Sequence, residues 1–383
     1  MLDIQFIRDN PDLIRYAAER RGLRLDLQTL ITADDERKRL SLSVQGKKAR
    51  SRVLERLVEQ GDSSAQSALN DIQKEISTEE QLYTEALHTF KREMIHIPNL
   101  PDISVPTGDA TQKRVEVARS EAPFPQQSTL SSALAGVIQT VTRGENTWLI
   151  PEAATAHAYT TFETYIRRSL VSAGFLHTRA IAGTTKDACI VSGAQPEEVA
   201  TFLSDVSLGL VGSSTAPYLF EPRVGENSAL SDLPKKYSLE TTLFRPEPPR
   251  TLATVLGALV VSQPRHDTSV EQHEALRQYF ESLCTKLQLP YKTSVCTAQS
   301  AHPSTVKSYV LSLPWVDDYP VVTINYYHDF QSRRAGIKCT DTDGKVRFAH
   351  TCVADGLCLE ELFALVYTVH KDGTQSFLDS LVS

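Results

Sequence analysis

At 383 residues the chain is longer than one hydrophobic core usually organises, and with 41% apolar and 23% charged residues it has the make-up of an ordinary globular protein, so two domains are expected. Its formal charge of −7 excludes a protein that coats nucleic acid with its whole surface, while leaving room for a local basic patch. No window approaches the run of about 18 apolar residues that a membrane-spanning helix needs, and the six cysteines show neither a CxxC pair nor a zinc-type Cys/His quartet, so free thiols in a reducing compartment and no bound metal are expected.

The N-terminus carries three Asp within twelve residues and is neither an apolar signal sequence nor an Arg/Ser-rich transit peptide. Asp3 to Arg20 reads as one short amphipathic helix with Pro11 near its start. From Asp26 to Met94 the chain is nearly free of Pro and Gly, with breaks only around Gly46 and Gly61 to Ser64, which is the pattern of a helical hairpin. In the second limb Leu69, Ile72, Ile76, Tyr83, Leu87, Phe90 and Met94 recur at coiled-coil spacing, with one missed beat at Glu79. Leu40, Val44, Val53, Leu57 and Val58 are the expected partner stripe on the first limb.

Residues 1–97 therefore form a helical arm, and the Pro-rich, polar stretch 98–127 reads as a linker. Residues 128–383 form a second domain of mixed pattern. A helix is expected from about Thr155 to Ala173, apolar strand runs at Thr251–Val261, Ser308–Leu313 and Pro320–Tyr326, and helices near Ser269–Leu287 and Cys358–Val369. Strands separated by long returns without βαβ alternation favour an α+β fold, a largely antiparallel sheet flanked by helices.

Lys47, Lys48, Arg50, Arg52 and Arg56 crowd the first limb of the arm against a single acid, Glu55. Asp71, Glu75, Glu79, Glu80 and Glu85 make the second limb acidic. Composition alone favours cross-pairing of the two limbs over recognition of phosphates by a long basic arm. The histidines lack HExxH or clustered spacing, and Ser213-Ser214 and the cysteines show no nucleophile signature, so these groups are expected in the core or in solvent.

The opening Met1-Leu-Asp-Ile-Gln-Phe-Ile-Arg-Asp-Asn-Pro-Asp-Leu, the hairpin, and then Ile97-Pro-Asn-Leu-Pro-Asp-Ile-Ser-Val-Pro-Thr-Gly-Asp109 together resemble the N-terminal half of seryl-tRNA synthetases. The likeness resumes at Leu233-Pro234, Phe244-Arg245-Pro246-Glu247, Asp329-Phe-Gln-Ser-Arg-Arg334 and Phe348-Ala-His-Thr351, the last two being similar to the animal mitochondrial form. The resemblance implies a class II aminoacyl-tRNA synthetase fold, dimeric through its first motif, whose arm grips serine tRNA. Lys47, Lys48, Arg50, Arg52 and Arg56 then become the expected tRNA contacts, since a helical hairpin can follow a phosphate backbone without reading bases.

Activation of serine builds charge on the α-phosphate of ATP, which Mg²⁺ and arginines must offset. Arg245 and Glu247 match the family's Phe-Arg-x-Glu and are read as vestiges of the ATP site. The Gly- and Arg-rich loop that follows in the family is here the shorter Pro248-Pro249-Arg250 and an apolar run. Three further positions mark lost function. Glu361 stands where the family places the γ-phosphate arginine, and at about 4 Å and an effective dielectric near 20 such like-charge repulsion is of order 4 kcal/mol. Pro217 stands where a Thr-Ala-Glu acid meets the substrate ammonium, and Pro320 where a second acid is found, before Thr323-Ile-Asn-Tyr326; bulk is expected to refill the serine pocket. Asp329, Arg333 and Arg334 persist and are expected to support the fold.

These departures resemble those of the seryl-tRNA synthetase-like mitochondrial proteins of insects. They imply a non-catalytic tRNA-binding protein with no catalytic residues and no cofactor, located in the mitochondrial matrix or otherwise the cytoplasm, and off the membrane. Its implied partners are serine tRNA and either a second copy or the active mitochondrial synthetase, because two-fold interfaces are self-complementary. A diverged but active serine–tRNA ligase and a protein-only scaffold are the alternatives.

Overall fold

The structure, a computed structural model, describes residues 2–62, 64–109, 111–180, 183–193, 208–209, 214–245 and 250–383. The chain divides into two compact units, residues 2–98 and residues 99–383.

The first unit is helical. Asn10 and Pro11 break the opening segment into α1 (Ile4–Asp9) and α2 (Pro11–Arg20) where one helix was expected, because the Pro11 nitrogen cannot donate back to α1 and can only begin a new helix. Next come α3 (Leu27–Glu59) and α4 (Ala65–Ile95). Helix α3 runs unbroken through Gly46, contrary to the expected interruption; a single mid-helix glycine costs about 1 kcal/mol, which packing on either side exceeds. Asp34, fully buried, anchors the base of the hairpin by taking Arg8 at 2.8 Å, Arg37 at 2.6 Å and Lys38 at 2.8 Å. Burial pulls its carboxyl upward, but these three cations outweigh it and hold Asp34 below the usual range.

Between the limbs, Leu40, Val44 and Ser51 of α3 are buried, with Leu69 and Ile72 of α4. Val53 and Leu57 are not part of that seam, being 56% and 37% exposed. From Val44 the helical period carries the inner stripe through Lys47, Ser51, Leu54 and Val58, which leaves Val53 and Leu57 on another side. The missed beat at Glu79 is filled by chemistry, since its carboxylate accepts Ser43 Oγ at 2.7 Å and faces Lys47.

The second unit contains, in chain order, β1 (Arg114–Arg119), α5 (Leu130–Leu134), β2 (Ile138–Arg143), β3 (Asn146–Pro151), α6 (Ala156–Ser172), β4 (Leu176–Arg179), β5 (Thr184–Thr185), α7 (Lys186–Ser192), β6 (Leu208–Gly209), α8 (Ala216–Phe220), β7 (Asn227–Ala229), β8 (Lys235–Arg245) and β9 (Arg250–Ser262). It continues with α9 (His266–Lys286), β10 (Lys292–Cys296), β11 (Lys307–Leu313), β12 (Tyr319–Tyr326), α10 (Phe330–Ala335), β13 (Lys338–Thr340), β14 (Val346–Phe348), β15 (His350–Cys358), α11 (Leu359–His370) and α12 (Thr374–Val382). Among the described residues a ten-stranded sheet runs β1-β10-β11-β12-β15-β9-β3-β2, with β8 beside β9 and β4 beside β8. All its pairs are antiparallel except β3 with β9 and β4 with β8. The stretch that reads as a linker supplies the edge strand β1.

Strand alternation gives the sheet two covered faces. On one, α9 reaches His350 through Ser269, α6 meets Glu240 through Arg167, and α6 packs on α11 with Tyr159 and Phe363 rings 5.3 Å apart. On the other lie α8, against Gly257, and α10, whose Gln331 accepts from Thr351. No helix among the described residues is long and apolar enough to cross a membrane.

Candidate functional site

Three places hold the residues singled out by sequence: the face of the sheet under α8, the head of α11, and the basic limb of the arm.

Asp355 on β15 organises the first. Its carboxylate accepts the Thr215 amide at 2.9 Å, the Thr215 hydroxyl at 2.6 Å and the Ser214 hydroxyl, while Ser214 Oγ accepts the Ala216 amide at 3.0 Å. The backbone entering α8 is thereby held flat on the sheet. The approach needs a strand residue without a side chain, because a Cβ at Gly257 would lie 1.8 Å from Thr215 Oγ1. Pro217 follows in the first turn of α8, where its lack of an N–H costs nothing, and it is buried.

Pro320 behaves otherwise. It lies opposite Ser312 at an irregularity in the β11–β12 ladder and is exposed. A proline lacks the ladder N–H, which suits it to a place where pairing is already disturbed. Its neighbour Tyr319 carries the contact instead, donating its hydroxyl at 2.5 Å to Glu361 Oε2. Glu361 is only 4% exposed. Beside it Glu360, 5% exposed, accepts the Thr254 amide of β9 at 3.0 Å. Burial pushes the Glu360 carboxyl up, although the hydrogen bonds it accepts act against that rise. The head of α11 thus carries two buried carboxylates, each satisfied by a donor from the sheet.

The backbone of Arg245 ends β8 opposite Thr251. Its side chain, Glu247 and the Pro248-Pro249 turn lie outside the described residues, as does Ser213.

The Asp-Phe-Gln-Ser-Arg-Arg segment joins α7, α10 and β15. Gln331, fully buried, donates to the Ser192 carbonyl at 2.5 Å and accepts from Thr351 Oγ1 at 2.7 Å. Arg334 donates to the Ile190 carbonyl at 2.8 Å, and burial lowers its pKa to about 10. Arg333 pairs with Asp329 at 2.8 Å.

On the arm the five cations divide. Lys47 lies 2.6 Å from Glu75 and 3.3 Å from Glu79, and Lys48 lies 2.6 Å from Glu80. Cross-pairing between limbs accounts for these two. Arg50, Arg52 and Arg56 are exposed and make no ion pair among the described residues. Lys48, Arg52 and Arg56 recur every fourth position, so they line one side of α3.

Sequence reasoning missed Asp355, Tyr319 and Ser214. The only signal for Asp355 is an acid inside an apolar strand run, Cys352-Val-Ala-Asp-Gly356, a common mark of a buried, partnered group.

Residues 1–101 match the family model described as the seryl-tRNA synthetase N-terminal domain. Among curated proteins, the serine–tRNA ligase of Deinococcus radiodurans is 24% identical over 98% of this chain and 95% of its own length. That of Laribacter hongkongensis is 27% identical over 98% and 95%. Over nearly its whole length the chain is thus similar to serine–tRNA ligases. Two solved structures share its fold: seryl-tRNA synthetase from Pyrococcus horikoshii complexed with ATP, with a TM-score of 0.76 at 18% identity over 97% of this chain and 95% of that one, and the cytoplasmic serine–tRNA ligase of Naegleria fowleri in complex with AMP, with a TM-score of 0.77 at 15% identity over 99% and 98%. The helical hairpin followed by an antiparallel sheet with flanking helices is the class II synthetase fold.

Proposed function

We propose that this seryl-tRNA synthetase relative does not activate serine and acts instead by binding serine tRNA through its helical arm. The observation that carries the first half is the pair of buried carboxylates at the head of α11, where the resemblance leads one to expect an arginine for a triphosphate. A polyphosphate brought there would meet two acidic side chains, held in place by Tyr319 and Thr254, in place of an arginine. Packing of Thr215 to Pro217 against Asp355 and Gly257 supports the same reading, since the position of the ammonium-binding acid is occupied by a buried ring.

The second half rests on the match of residues 1–101 and on the exposed Arg50, Arg52 and Arg56, which make no ion pair among the described residues. We place the protein in the mitochondrial matrix, on the strength of the Asp-Phe-Gln-Ser-Arg-Arg and Phe-Ala-His-Thr segments. Its proposed protein partner is a second copy or the active mitochondrial synthetase.

Serine-dependent exchange of pyrophosphate into ATP tests the first half. The expected result is exchange at background, and turnover at the level of an ordinary synthetase would refute it in favour of an active ligase, the reading favoured by the near full-length match to ligases. Binding of serine tRNA to the intact chain and to one with Lys47, Lys48, Arg50, Arg52 and Arg56 made neutral tests the second. Unchanged affinity and salt dependence would remove the arm as the RNA site.

A further inference from the structure

Helix α3 is apolar on two sides. One side meets α4. The other is a stripe of Leu42, Gly46, Ala49, Val53 and Leu57, at spacings of three and four residues that keep it on one face. Leu42 is 70%, Val53 56% and Leu57 37% exposed, although large apolar residues on a two-helix arm are normally spent on the seam. Gly46 leaves a notch in the stripe, with nothing within 4 Å of where a Cβ would stand. Beside it runs a groove of about 540 Å³, with Leu42, Gly46 and Arg50 on its α3 side and Ala68, Asp71 and Glu75 on its α4 side. A helix with two apolar stripes is built for two helical partners, and α4 is one of them.

We propose that the second stripe seats the same helix of a second copy, packed antiparallel about a two-fold axis that passes between Ala49 and Arg50. Two features select this occupant. First, an antiparallel two-fold pair sets each residue against one equally far from the axis on the other copy. Leu42 and Leu57 are equally far from the midpoint of Ala49 and Arg50, and so are Gly46 and Val53. Val53 of each copy thus enters the notch at Gly46 of the other, a knob meeting a hole, while Leu42 covers Leu57. Second, the groove has a basic rim and an acidic one. Arg50 and Asp71 make no ion pair among the described residues, and a two-fold turn brings the Arg50 rim of each copy over the Asp71 and Glu75 rim of the other. A surface carrying both signs in this order is complementary to itself.

The contact takes Arg50 out of the proposed RNA face and runs beside Arg56, which stands seven residues from Ala49 and so near the same side of α3, while Lys48 stays clear of it.

Cysteine cross-linking of the full chain decides it, because the six native cysteines are all buried. Ala49→Cys places a thiol beside the axis, and Gln45→Cys places one a turn away, opposite Leu54, where the thiols of the two copies stand roughly 13 Å apart along the pair. Under mild oxidation Ala49→Cys is expected to give a disulfide-linked dimer and Gln45→Cys only monomer. Adding Val53→Glu to Ala49→Cys should lower the dimer yield about tenfold by setting a carboxylate in the apolar contact, with the circular dichroism unchanged because the position is solvent-facing in the single copy. Monomer from Ala49→Cys, equal yields from the two cysteine variants, or a yield indifferent to Val53→Glu would each overturn the proposal. The first of these is also what a foreign helix or RNA as the true occupant would produce.

Discussion

Gly257 shows how closely single residues define the region under α8. Its missing side chain is the space that the Thr215 hydroxyl occupies on its way to Asp355. Gly257→Ala forces the buried Thr215 segment off the sheet, and we expect a loss of about 1–3 kcal/mol, the usual cost of overpacking a filled core. Urea denaturation measures it, and a loss below a few tenths would mean that the segment is not held as described. The buried histidines make a second residue-scale case. His273 donates Nε2–H to the Ile324 carbonyl at 3.1 Å, and His350 pairs through Nδ1 with Ser269 at 2.8 Å. Burial pushes both imidazoles down to about 4. Below the ordinary value near 6.5 the unfolded chain takes up protons that the folded chain refuses, so their contribution to stability is complete above pH 6.5 and declines as the pH falls toward 4. The fall in unfolding free energy between pH 7 and pH 5 should therefore be smaller in His273→Gln than in the parent, by about 2 kcal/mol. Identical pH profiles would show that His273 titrates normally.

Among the elements, α10 joins parts that are distant in sequence. Gln331 ties the end of α7 to β15 with both ends of its amide, and Arg334 adds a second tie to Ile190. Gln331→Leu keeps the volume and leaves the Ser192 carbonyl and the Thr351 hydroxyl without this partner. The expected cost is about 2–4 kcal/mol, read as a shift in the thermal midpoint; a near-neutral result would mean that water replaces the amide. At this scale the sequence was legible where period and burial coincide. The seam of α4, the strands β9, β11 and β12, and the helices α6, α9 and α11 all follow from apolar spacing. Three features escaped it for physical reasons. Strand β1, Arg-Val-Glu-Val-Ala-Arg, is an exposed edge strand whose charges resemble a linker. Gly46 resembles a break because its cost is local and the packing that offsets it is not. Val53 and Leu57 read as seam residues because period alone cannot say which of two apolar stripes a helix buries.

For the molecule as a whole, the formal charge of −7 and the basic limb are reconciled by where the acids sit. Glu75, Glu79 and Glu80 take up Lys47 and Lys48, so the charge available to a phosphate backbone is narrower than the five cations suggest. The resemblance at the level of sequence identifies the limb, but only side-chain placement separates cations already spent within the hairpin from those left over. Exposed ion pairs contribute at most about 1 kcal/mol, so Lys47 and Lys48 could in principle exchange Glu for phosphate, yet each exchange leaves a carboxylate beside the RNA. Arg52 and Arg56 carry no such penalty. If the arm holds tRNA as proposed, Arg52→Ala and Arg56→Ala should each lower the slope of log affinity against log salt by about one, the signature of one lost phosphate contact. Lys47→Ala should change it by much less, because removing that cation also frees two acids that the RNA then repels, which lowers affinity with little change in the number of phosphates neutralised. Titration of serine tRNA at several salt concentrations separates the two. Equal slope changes for Lys47 and Arg52 would place the RNA across the limb-pairing seam, and no change for Arg52 and Arg56 would move the RNA face off α3 altogether.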